Sequence, residues 1–389
     1  MTRSRALLAL AAAALLAAPT VAPGAEPSAT DRCNPDRDYS PKTRPLWWYR
    51  CVDDDTVIVF VHGGASDNLE EWQNTEVRGF VNGRLLQKAF WVTWPLTGAG
   101  DYWPRQVAED RRFDRASIAL AGYRTGLFTG LYGVDDAAEE WFAYLRTPHP
   151  ATGRAILDYE RIVFIGHSAG GVITRYVLAK YPEAFAGKRV GLLLAASGAG
   201  GTKLLDEPPG SVVVALLLLR LGWQLQTGSE LLQRVDACFS KVLGNGDRGF
   251  ALAGVEIAET KPYGAERCDD RGVLGLPYVV TPEQAIVHFP GPPSRPLDTI
   301  VDGKRFCFDH ETLVRPTATR REPHEVLAEL YEKIFAGPAL PADRRTGSWE
   351  RLPPSTVTPE EQQQTMLAAG REAWTRPLEC GAPSTKEAR

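Results

Sequence analysis

Apolar residues fall along this chain in two rhythms. Thr56 to Val61 (Thr-Val-Ile-Val-Phe-Val), Ala116 to Ala121, Ile162 to Ile165 and Val190 to Ala196 are short runs with almost no polar interruption, and Phe250 to Ile257 is a fifth, looser one. Unbroken apolar runs of this length suit strands covered on both faces. Leu46 to Cys51 reads as an edge strand and Lys304 to Phe308 as a last short one. Between the runs the spacing changes to that of helices. Ala138, Trp141, Phe142 and Leu145 form a stripe within 135–146; Val172, Ile173, Tyr176 and Val177 form another, which stops at Tyr181-Pro182. From Pro323 to Phe335 the inward positions are Val326, Leu327, Leu330, Ile334 and Phe335. Strand and helix alternating in this way predict an α/β protein with a mainly parallel sheet and helices on both faces. The stretch of about 203–249 is too long for a simple connection, and its run Val212 to Leu219 is too short to span a bilayer. It reads as a helical cap over the active site or, equally, as an ordinary buried helix.

Chemistry enters at Gly166-His-Ser-Ala-Gly170, which lies between the third apolar run and the helical stripe after it. A Gly-x-Ser-x-Gly in strand-turn-helix context places Ser168 on a strained turn with its hydroxyl exposed. The N–H of Ala169 faces the same space. The bare pattern arises by chance, so its partners decide. His62-Gly63-Gly64 ends the first apolar run, and glycine there lets a backbone N–H approach a substrate oxygen, making Gly63 or Gly64 the second oxyanion donor. The loop Ser197 to Lys203 is glycine-rich but lacks the order of a phosphate-binding loop.

A serine needs a base, and the base needs an orienting carboxylate. In this type of sheet the chain order is Ser, acid, His, so the candidates among six histidines are His288, His310 and His324. His310 directly follows the last strand, from which a loop can reach back over the sheet. The acid should leave a neighbouring strand end. Glu259, after the run ending at Ile257, fits, and Glu283 is the alternative. Glu256 lies within the strand, Asp298 and Asp302 lie in a Pro-rich loop, and Asp309 adjoins the histidine itself.

Several blocks together resemble the lipase-like α/β-hydrolases, and among them the serine-active-site-containing esterases related to glycosylphosphatidylinositol (GPI) inositol-deacylases. They are Val61-His-Gly-Gly-Ala-Ser with Trp72, Trp103-Pro104 leading to Gly122-Tyr-Arg-Thr125, Gly166-His-Ser-Ala-Gly-Gly171, Glu259-Thr-Lys-Pro262, Tyr278-Val-Val-Thr-Pro-Glu283 and Asp309-His-Glu-Thr-Leu-Val-Arg-Pro316. The resemblance covers roughly 55–335. It implies an α/β-hydrolase fold, His310 as the catalytic base, a carboxylic ester as substrate and a lipid or other acyl group within it. Where such relatives carry Pro-His-x-Gly, this chain has Ser197-Gly-Ala-Gly200.

Composition adds the setting. The chain has 389 residues, 44% hydrophobic, with a net charge of −4, which suits one large domain and gives no sign of nucleic-acid binding. Arg3 and Arg5 precede an apolar run from Ala6 to Ala18, shorter than a spanning helix, so residues 1–25 read as a secretory signal peptide and the protein as secreted or periplasmic. Residues 26–336 then form the hydrolase domain and 337–389 a Pro-rich tail with one helix starting near Thr358. Six cysteines in an exported chain favour disulfides, with Cys33 to Cys51 the simplest pair; a lone Cys307 in an apolar strand would also be tolerated as a small hydrophobe. No metal or organic cofactor is implied. The expected partner is a small-molecule or lipid ester, with peripheral contact to membrane lipid. The alternatives are an acyltransferase with the same triad and a non-catalytic lipid-binding protein.

Overall fold

The computed structural model describes residues 46–64, 103–123, 133–149, 152–202, 206, 220–246, 249–265, 267–270, 272, 278–301, 303–336, 349–350 and 378. The expected signal peptide, the tail helix near Thr358, Trp72, Cys33 and the run Val212 to Leu219 lie outside these residues. The strands are β1 (Leu46–Arg50), β2 (Thr56–Val61), β3 (Ala116–Ala121), β4 (Arg161–His167), β5 (Arg189–Ala195), β6 (Ala251–Ala258), β7 (Arg295–Pro296), β8 (Asp298–Val301) and β9 (Lys304–Cys307). The helices are α1 (Trp103–Glu109), α2 (Val134–Arg146), α3 (Ala169–Lys180), α4 (Glu230–Gly244), α5 (Pro282–Ala285) and α6 (Glu322–Ala336). Seven strands form one sheet in the order β1-β3-β2-β4-β5-β6-β7, parallel throughout except for β1. This is an α/β-hydrolase fold.

The unbroken apolar runs are explained by two cores, one on each face. Val57, Val59, Val61, Phe164, Leu192 and Leu194 pack with α2, α3 and α4 through Trp141, Ile173, Val177, Val235 and Phe239. The alternate positions Ile58, Phe60, Val163, Ile165 and Leu193 pack with Trp103 and Val107 of α1 and with Val326, Leu327, Leu330 and Ile334 of α6. With neighbouring side chains pointing to opposite faces, a strand covered twice has no polar positions left. α3 ends at Lys180 because Pro182 follows, lacks an N–H and opens the next short helical turn. α4, within the span expected as a cap, runs beside α3 and buries Leu232, Val235, Phe239 and Val242, so this part of the span is a crossover helix between β5 and β6.

The sheet ends differently from the sequence expectation. β9 does not join it; it pairs only with β8 as a separate antiparallel hairpin. The last strand of the sheet is the two-residue β7, and Pro296 has no N–H with which to extend the ladder. Cys307 at the end of β9 is not a lone hydrophobe, since it is disulfide-bonded to Cys268. Cys51 and Cys238 are also disulfide-bonded.

Candidate active site

Ser168 sits where β4 turns into α3, with φ 52° and ψ −125°. A left-handed φ in a residue with a side chain costs of order 1–3 kcal/mol and persists only where its surroundings enforce it. Two contacts do so here. The Ser168 N–H donates to Ala195 O at 2.9 Å, and the start of α3 presses on the end of β2, where a Cβ at Gly170 would lie 2.3 Å from His62 O. The glycine two residues after the serine is therefore a packing requirement between helix and strand. Ser168 remains partly exposed between two buried neighbours, His167 and Ala169.

Glu259 and His310 are brought together by a lock between the segments that carry them. Thr260 N and Lys261 N donate to Phe308 O at 2.8 and 3.2 Å, and Phe308 N donates to Thr260 Oγ1 at 2.9 Å. Just before the lock on one segment and just beyond it on the other, Glu259 and His310 meet, with His310 Nδ1 2.7 Å from Glu259 Oε1. Glu259 is fully buried and accepts from Val280 N at Oε1 (2.9 Å) and from Val279 N at Oε2 (3.2 Å), so its carboxylate is held in one orientation. The two valine N–H groups belong to the Tyr278-to-Glu283 block, whose sequence singled out only its glutamate. Glu283 itself is exposed in the first turn of α5. Asp309 faces Lys261 Nζ at 3.5 Å and accepts from Thr312 N and Oγ1, which closes the turn bearing His310.

The other histidines are engaged elsewhere. His288 Nδ1 lies 3.2 Å from Glu256 and its Nε2 2.6 Å from Asp236, while Glu256 also accepts three backbone N–H bonds from residues 287–289. His324 is buried between Trp103 Nε1 and Asp110, and burial holds its pKa below the ordinary value despite the nearby carboxylate.

On the oxyanion side, His62 closes β2. Tyr123 N donates to its Nε2 at 3.2 Å, which leaves the proton on Nδ1, 2.8 Å from Gly63 O. Tyr123 stacks on the ring at 4.4 Å and donates its hydroxyl to His62 O. Burial lowers the His62 pKa to about 4, with the backbone partners at Gly63 and Tyr123 opposing weakly, so the ring is neutral above that pH. Because C=O and N–H point to opposite sides of a trans peptide, tying Gly63 O to the His62 ring turns the Gly64 N–H away from it. Gly64 lies against Ala169, where a Cβ would be 3.6 Å from the alanine's. The structure thus brings Ser168, Ala169, Gly63, Gly64, His310 and Glu259 into one region, and of the two glutamates it is Glu259 that meets His310 Nδ1. Tyr123 and the rings of His62 and His167 went unassigned in the sequence, because their contacts are to backbone atoms far along the chain.

No family model matches this chain, and no curated protein matches its sequence. Among solved structures it is similar to the phospholipase PlaB from Legionella pneumophila in complex with thio-NAD, at 16% identity and TM-score 0.37, over 59% of this chain and 44% of that one. It is also similar to the inhibited esterase B from Lactobacillus rhamnosis, at 17% identity and TM-score 0.29, over 55% of this chain and 60% of that one. The chain therefore spans less than half of the phospholipase's length and about three fifths of the esterase's. Likeness at this level carries nothing about chemistry, which rests on the site's own geometry.

Proposed function

We propose that this protein is a serine hydrolase that cleaves carboxylic esters through an acyl-enzyme. Ser168 attacks the ester carbonyl; His310 takes its proton at Nε2 and returns it to the leaving alcohol; Glu259 holds the ring and stabilises the imidazolium formed on the way. The N–H groups of Gly64 and Ala169 receive the negative oxygen of the tetrahedral intermediate. Water then repeats the sequence on the acyl group. The observation that carries this reading is the 2.7 Å contact of His310 Nδ1 with a buried Glu259, on a segment whose His310 carbonyl meets His167, the residue before a serine held at positive φ.

The substrate is proposed to be a lipid or other acyl ester. Leu221, on the helical turn 220–224, lies against Gly64, so an apolar side chain borders the glycine turn. Export of the protein belongs to the same proposal and is supported by the Cys268–Cys307 bridge, which forms readily only outside a reducing compartment. Kinship with the GPI inositol-deacylases rests on the sequence blocks alone.

Labelling of the purified protein with a fluorophosphonate, in parallel with hydrolysis of p-nitrophenyl esters, tests the mechanism. Ser168→Ala should lose the label and cut turnover by about 10⁴-fold or more with the fold intact. Wild-type turnover in that variant would exclude the serine mechanism. Added alcohol that captures the acyl group in preference to water would identify a transferase instead.

A further inference from the structure

We propose that His167 is a positioning residue which ties the base to the oxyanion strand across the nucleophile turn; this rests on the reading of Ser168 and His310 given above. His167 ends β4, one residue before Ser168, and is 5% exposed. Its Nε2 lies 2.9 Å from the backbone oxygen of His310. A carbonyl oxygen only accepts, so the proton of the His167 ring is on Nε2. The two imidazoles are tilted against each other, with centroids 4.7 Å apart and planes 45° inclined. On its other side the ring touches the oxyanion strand, where a Cβ at Gly63 would be 3.0 Å from His167 Nδ1 and 3.0 Å from Ser168 Cβ.

His310 is therefore held at both ends. Glu259 fixes its ring through Nδ1, and His167 fixes its backbone through the carbonyl. A ring anchored only at Nδ1 could pivot about that bond, and the second anchor removes this freedom and directs Nε2 to one place. The anchor must also be uncharged, because a cation in contact with His310 would oppose the imidazolium that forms during turnover. Burial pushes the His167 pKa well below its ordinary value, and charge on His310 acts in the same direction. An imidazole supplies a donor that is short, rigid and neutral here, and a lysine or arginine would not.

Three variants separate positioning from packing. In His167→Gln the side-chain nitrogen reaches about as far as Nε2 and keeps a donor; His167→Asn is too short, and His167→Leu has none. With p-nitrophenyl acetate we expect Asn and Leu to lower kcat by about 10²-fold with little change in KM, and Gln to recover most of the loss. Fluorophosphonate labelling rates should follow kcat. Should the Leu variant fail to fold, the comparison of Gln with Asn decides by itself. Equal activity of those two, or Asn within about threefold of wild type while Ser168→Ala is inactive, would overturn the positioning role and leave the serine mechanism standing. Full turnover by Ser168→Ala would instead remove the mechanism on which the role depends.

Discussion

At the scale of single residues, the two glutamates weighed as the orienting acid have opposite surroundings. Glu259 is buried with donors on both oxygens, whereas Glu283 is exposed at a helix start, where a negative charge is favourable. Glu259→Gln should keep the fold and lower kcat by orders of magnitude, about 10²–10⁴-fold, while Glu283→Gln stays within a few-fold of wild type, as read in steady-state ester hydrolysis. The histidines divide similarly. His310→Ala should match the loss in Ser168→Ala, because the two act as a unit. His324→Ala should act mainly on stability, since it removes the link between Trp103 and Asp110.

His62 makes the acid limb of stability predictable. Its pKa is 6.5 unfolded and about 4 folded, so between those values the unfolded chain binds a proton that the native one does not. Stability is therefore lost as pH falls through this window, by about 3 kcal/mol at ~1.4 kcal/mol per pH unit. His167, shifted in the same direction, adds to the slope. Urea midpoints at pH 7 and pH 4 should converge in His62→Gln relative to wild type; an unchanged difference would mean that the ring is not buried neutral.

At the scale of elements, the contact that matters most is the start of α3 on the end of β2. Gly170→Ala puts a methyl 2.3 Å from one backbone oxygen and 2.5 Å from another, so helix and strand must separate. The expected cost is about 1–3 kcal/mol in denaturant unfolding, with a larger fall in activity because Gly63, Gly64 and Ala169 are displaced together. The position of this glycine was legible in the motif. The neighbour that demands it was not, because His62 lies over a hundred residues earlier in the chain. Most of the larger elements were readable, but α1, β7 and β8 were not, and Asp298, expected in a Pro-rich loop, begins β8. β2 and β3 begin and end where their apolar runs do, since a strand covered on both faces writes its length directly into composition. β9 was misassigned to the sheet because a short, half-buried strand carries no signal of its partner.

At the scale of the whole molecule, the segment bearing His310 hangs from the edge of the sheet and is secured by two devices, the backbone lock of residues 260–261 to 308 and the Cys268–Cys307 bridge. Closing a loop of sequence separation 39 should stabilise by roughly 2–4 kcal/mol. Cys268→Ser with Cys307→Ser should lower the melting temperature and increase proteolytic nicking near residue 307, and non-reducing peptide mapping of wild type should recover this pair. Intact thiols at both positions in unreduced protein would refute it.

By itself the sequence determined the strained turn at Ser168, the double-faced strands and the set of groups from which the proposed base and acid were drawn. These follow from local rules: side-chain period, turn chemistry and chain order. Only the tertiary structure decided which carboxylate faces His310, how the His62 ring is held and what meets the His310 carbonyl. Each of these depends on hydrogen bonds from side chains to the backbone of remote segments, Glu259 to 279–280, His62 to 123, and His167 to 310. A backbone N–H or C=O is the same at every residue, so the sequence carries no mark of which one a side chain will meet.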